Sequence, residues 1–201
     1  MGDIHFSAGD ETLWAVILGA VLATIGGFLS TTFEASFRRR ERERGAALLF
    51  GEILSVLELM IGLTRDARGR GEPYGTWTMR LARAVRREAD TYERNREQLY
   101  DLRDAHTRAH IHTVMVRLML ALEGVFDATE RIQADVITDR QPDLDSTSKA
   151  EVAARLAAAQ AERDRAFEAL CATAGAIAPI VTVLRPLAKQ DFRVYSTVAN
   201  A

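Results

Sequence analysis

Residues 29–49 read LSTTFEASFRRRERERGAALL. An uncharged run ends here, five arginines and two glutamates fill positions 38–44, and an apolar run resumes at once. Three readings compete: a boundary between lipid and water, a loop between two spans, or a charged patch on a long soluble helix. The residues on either side decide between them.

Upstream, Leu13 to Phe33 contains no charged side chain. Twenty-one residues rise about 30 Å as a helix, the thickness of a bilayer's hydrocarbon core. A secretory signal would need a basic segment ahead of its apolar run. Here Asp3, Asp10 and Glu11 precede it, and the first arginine or lysine is Arg38. The expectation is an uncleaved anchor. Arg38, Arg39, Arg40, Arg42 and Arg44 lie on its C-terminal side, so the positive-inside rule puts that side in the cytoplasm and the N-terminus outside. These arginines suit anionic head groups. Trp14 falls where an outer aromatic anchor belongs, which completes the set of interface residues.

Inside the run, Ala15, Gly19, Ala23, Gly27 and Thr31 recur every four residues. Small residues on one face let helix backbones approach closely in lipid. The expectation is self-association, or docking to another membrane helix. No ionisable group lies within the run, which disfavours a pore.

Downstream, GAALLFGEILSVLELMIGL (45–63) is apolar enough to suggest a second span. Glu52 and Glu58 oppose it, because acids near the bilayer centre cost about 2.5–3.5 kcal/mol each. They are six positions apart, about 120° around a helix, so one protected face cannot hold both. The predicted structure is one helix that continues past the arginines. Its second half, apolar almost all round, is expected to be the centre of a bundle or an oligomer seam. Ala169–Leu184 is also uncharged but short, and it contains Pro179. It is expected to be a buried helix with a proline kink.

The remainder reads as helix. DARGRGEPYGT (66–76) is a break rich in turn-formers. Trp77, Leu81, Val85, Tyr92 and Leu99 form the next apolar stripe, with arginines and acids mixed on the other faces. A break at LYDLRD is expected, with Asp101 or Asp104 as the next N-cap. Ile111, Val114, Leu118, Leu122, Val125, Phe126, Ile132 and Val136 form a second stripe. Ser148 and Glu151 match the capping-box pattern of a last long helix, which buries Val152, Leu156, Ala159, Phe167, Leu170 and Ile177.

ALLFGEIL and TYERNREQLYDL, set behind an arginine-rich membrane junction, resemble a group of uncharacterised bacterial single-pass membrane proteins with a cytoplasmic helical domain. Tyr92, Asn95, Leu99 and Leu102 carry the match. The resemblance implies an architecture and no activity.

Chemistry is sparse. His106 and His110 are one turn apart and share a helix face, a spacing that can hold a divalent metal. His112 lies about 200° round and cannot join them. Arginines flank the pair, and no carboxylate follows on that face. A single cysteine, Cys171, excludes an intrachain disulfide; in its alanine-rich run it is expected to be an inert buried thiol. Phosphate-binding loops, dinucleotide glycine motifs and nucleophile elbows are absent from the sequence. A net charge of −2 provides no field for nucleic acid, and no cofactor is expected.

The expectation is an all-α chain with one N-terminal transmembrane helix continuing into a cytoplasmic antiparallel bundle. Its divisions are an external N-terminus at 1–12, the membrane helix at 13–37, the bundle at 38–190 and a polar tail at 191–201. The expected role is a self-associating scaffold in the inner membrane, with the lipid bilayer, a second copy and a cytoplasmic protein as partners. The alternatives are an oligomeric membrane effector or small-ion channel, and a metal-binding enzyme or sensor using His106 and His110.

Overall fold

The computed structural model describes residues 8–71, 73–140 and 145–192, with the backbone alone for 8–17, 25–32 and 35. The described residues are all-helical. They form α1 (Ala8–Arg70), α2 (Thr76–Arg94), a 3₁₀ turn (Arg96–Asp101), α3 (Ala105–Asp139), α4 (Ser146–Gly175) and α5 (Ile177–Ala188). The chain divides into two compact units, Met1–Arg42 and Glu43–Ala201.

In the second unit, α1 forms the middle of an antiparallel bundle. Phe50, Leu54, Leu57 and Ile61 are fully buried, against Val85 and Tyr92 of α2, Leu118 and Leu122 of α3, Leu170 of α4, and Ile180 and Leu184 of α5. Of positions 45–63 only Gly45, Glu58 and Leu63 are exposed. The apolar run behind the arginines is therefore covered by protein, as a bundle centre requires. Glu58 reaches the surface directly. Glu52 does so at another azimuth, where Gln190 Nε2 donates to it at 3.4 Å.

Pairings between helices fix their directions. Arg86 of α2 meets Glu123 of α3 at 2.9 Å, while Tyr92, further along α2, meets His112, earlier in α3. Arg131 of α3 makes a two-pronged pair with Glu162 of α4, both distances 2.7 Å, and Asp135 meets Arg155. Surface pairs of this kind contribute about 0–1 kcal/mol each. They set register, and the buried apolar side chains supply the stability.

Helix ends follow local chemistry. Asp104 is the N-cap of α3, accepting from the backbone N–H groups of His106 and Thr107. Arg108 donates to the carbonyls of Leu102 (2.6 Å) and Arg103 (3.0 Å), which closes the turn before α3. α4 departs from the expected cap. Asp145, not Ser148, caps it, and its carboxylate accepts from the Ser148 N–H at 2.8 Å. Ser148 thus sits inside the first turn. The final helical run breaks at Ala176, between α4 and α5. Pro179 explains the break: it has no N–H for the Gly175 carbonyl, and its ring crowds that carbonyl.

Two apolar positions differ from expectation. Trp77 is 65% exposed, and the buried stripe of α2 is Thr78, Met79, Ala82, Val85, Ala89 and Tyr92. Phe192, placed in the polar tail by sequence, is buried against Gly51.

Among the described residues, three helical stretches are long and apolar enough to cross a membrane: Ser36–Arg70, Ala105–Asp139 and Ser146–Ala188, with mean hydropathies of 2.0, 1.3 and 1.8 in their most apolar windows. Length and composition alone give this result. Half of the first window, and 39% of each of the others, is already buried within the protein.

Candidate functional site

In the first unit, the helix presents apolar side chains that the protein does not cover. Leu18 is 61% exposed, Leu22 60%, Phe33 73% and Phe37 70%. The Thr24 hydroxyl donates to the Ala20 carbonyl one turn back, at 2.7 Å. It thereby satisfies itself inside the helix and needs no water. Gly19 and Ala23 are exposed, and a Cβ added at Gly19 would meet nothing within 4 Å. The Ala15, Gly27, Thr31 and Trp14 side chains lie outside the described residues.

The arginines that follow differ among themselves. Arg38 pairs with Glu34 one turn earlier. Arg39, Arg40 and Arg42 are exposed. Arg44 belongs to the second unit, where its Nε donates to the Ala188 carbonyl at 3.2 Å. It thus caps the last turn of α5, whose carbonyl end carries partial negative charge. The sequence places Arg44 with the interface arginines, but the fold gives it a structural partner.

His106 and His110 do share a face at the start of α3. Both are exposed, with ring centroids 6.0 Å apart. The carboxylate nearest in sequence, Asp104, is engaged in capping. No group of three histidine, cysteine or acidic side chains among the described residues is placed to hold a metal. His112 points elsewhere, and its Nδ1 lies 3.0 Å from the hydroxyl of the fully buried Tyr92.

A second constellation has no local sequence signal. Asp164 Oδ1 of α4 accepts from Arg68 Nη2 of α1 at 2.7 Å and from the Tyr74 hydroxyl at 2.5 Å. Arg68 also lies over the Phe167 ring, 4.5 Å from its centroid, and Phe167 meets Tyr74 edge to face at 5.9 Å. Arg163 covers the Tyr74 ring at 3.7 Å. Burial, then the bond to Asp164, pushes the Tyr74 phenol well above the usual tyrosine range, so it remains a donor. Met79, Val125 and Phe167 form a small apolar cluster beneath, with half-buried Cys171 packed against it.

Comparison with known protein families, curated proteins and solved structures gives no match.

Proposed function

We propose that the protein is a membrane-anchored helical interaction protein. The first unit crosses the inner membrane once, with the N-terminus outside, and the second unit is cytoplasmic. Copies associate through the face of Ala15, Gly19, Ala23, Gly27 and Thr31. The bundle presents its mixed-charge surface to a cytoplasmic protein, and the arginines that leave the membrane meet anionic head groups.

One observation carries this reading: the large apolar side chains of the first unit, Leu18, Leu22, Phe33 and Phe37, are uncovered. Large apolar side chains left exposed along one helix mark contact with lipid or protein. An uncharged helix of this length suits lipid, and a neighbouring glycine with open space suits a second helix.

The other apolar helices have a different explanation. The 45–63 run is covered by its own bundle. The exposed side of α3 carries Arg117, Glu123, Asp127, Glu130 and Arg131. Charges near the bilayer centre cost about 2.5–3.5 kcal/mol each, so that face favours water. Both observations support reading the 45–63 run and α3 as bundle core.

Oligomeric state in detergent tests the association. The native protein is expected to be larger than a monomer, and Gly19→Leu with Gly27→Leu to dissociate it. A native monomer ends the self-association reading. Reporter fusions test the topology: a C-terminal reporter active outside the cytoplasm would overturn the single pass.

A further inference from the structure

Arg68, Tyr74, Arg163 and Phe167 line an open groove of about 950 Å³ at the α1–α2 connection, together with Arg65, Gln160 and Ile132. Three guanidinium groups meet there, against the carboxylates of Asp164 and Glu168. Asp164 is committed to Arg68 and Tyr74. Among the described residues, Arg65 has one loose contact, 3.7 Å, with its sequence neighbour Asp66.

Arg163 is the unusual member. It makes no ion pair among the described residues, and its Nε is buried with no hydrogen-bond partner. Its stack on Tyr74 does not remedy this. A cation–π contact engages the flat face of the guanidinium, whereas its N–H donors lie in the plane and require acceptors. A buried N–H without an acceptor is costly and calls for a water, an ion or a ligand; the Arg163 side chain as a whole is half-buried and lines the groove.

We propose that this groove binds an oxyanion, a phosphate or carboxylate group, in the plane of the Arg163 guanidinium, with Arg65 as the second cation. The planar fork of arginine matches the paired oxygens of such groups. Ile132 and Phe167 offer apolar wall to an organic body carrying the anion. The site requires neither membrane insertion nor self-association, so it stands or falls apart from the reading above.

The test is calorimetric titration of the full-length protein in detergent with inorganic phosphate, in a phosphate-free buffer. Saturable binding is expected. Arg163→Gln is expected to weaken it about tenfold or more, the loss of a charge-assisted hydrogen bond. Arg83→Gln, at an exposed arginine of α2, is expected to leave it unchanged. Absence of saturable binding to the native protein overturns the proposal without recourse to any variant, as does equal binding by Arg163→Gln that retains its helical melt.

Glu72, outside the described residues, provides a further check. If it is the acceptor of Arg163, the native protein shows no binding and Glu72→Gln gains it; that result also overturns the proposal. Reconstitution separates the two sources of such an anion. Phosphate binding that persists in neutral phosphatidylcholine vesicles and in vesicles containing phosphatidic acid supports a soluble ligand. Binding lost only in the phosphatidic acid vesicles supports the same site with a lipid head group as its occupant.

Discussion

The ring of Phe192 occupies the space in which a Cβ at Gly51 would stand. Glycine in mid-helix is unfavourable by roughly 0.5–1 kcal/mol relative to alanine, and here it admits a buried aromatic ring. Gly51→Ala is expected to displace that ring, at a net cost of about 1–2 kcal/mol once the helix gain is subtracted from the lost burial. In a Phe192→Ala background the sign reverses, and Gly51→Ala stabilises by about 0.5–1 kcal/mol. A double-mutant cycle on chemical unfolding measures the coupling. Additive costs would mean that the two positions do not meet.

The two N-cap aspartates give an acid-side prediction. Hydrogen bonds from the Thr107 side chain and backbone and from the His106 N–H hold the Asp104 carboxyl below its usual range. The Ser148 side chain and backbone do the same for Asp145. With the folded pKa below the unfolded one, the unfolded state binds more protons in between. The contribution is therefore complete above the unfolded value, about pH 4, and is lost as pH falls through the depressed native values. Asp104→Ala is expected to lower the thermal midpoint by a few degrees near neutrality, and to flatten its decline below about pH 4. Acid sensitivity unchanged from that of the native protein in both Asp104→Ala and Asp145→Ala would remove the caps from the account.

On the alkaline side, Tyr74 and Tyr92 act together. Burial is the largest cause of the upward shift of both phenols. With folded values above the unfolded one, stability is complete below about pH 10 and falls as pH rises through the native values. Tyrosinate absorbance is expected to show two groups that ionise only above the usual tyrosine range or on unfolding. Tyr92→Phe, which deletes the bond to His112, is expected to cost about 0.5–1.5 kcal/mol. Normal ionisation of every tyrosine in the folded protein would contradict this packing.

The anchor has its own test. Leu22→Arg places a charge near the middle of the uncharged run, at about 2.5–3.5 kcal/mol on the insertion scale. The fraction retained by membranes after alkaline washing is expected to fall, while the bundle keeps its thermal midpoint. Undiminished retention would show that another segment holds the protein to the bilayer.

Much of the helical layout was legible in the sequence because it rests on local chemistry. The break before α2 lies in a cluster of glycine and proline, and Asp104 stands where a cap was expected. The α3 stripe runs at helical spacing through Ile111, Val114, Leu118, Leu122 and Val125, all buried. The α2 stripe went astray at its start because positions four apart drift by about 40° per step. Trp77 is therefore about 80° from Val85, and it faces out. At α4, Asp145 and Ser148 are both good cap residues, and only the backbone geometry separates them. The Asp164 cluster was illegible for a different reason. Its partners are 96 and 90 residues away in sequence, and no spacing rule reaches that far.

The missing N–H of Pro179 has a dynamic corollary. It interrupts the hydrogen-bond ladder between Gly175 and Ile177, so opening of α5 need not propagate into α4. α5 then forms its own exchange unit, held by Ile180 and Leu184 in the core, by Arg44 at its last turn, and by Phe192 beyond it. In native-state hydrogen exchange, the amides of Val181–Arg185, Leu187 and Ala188 should open at lower free energy than those around Leu170. The column that reads as one apolar stretch in the sequence should therefore open as two.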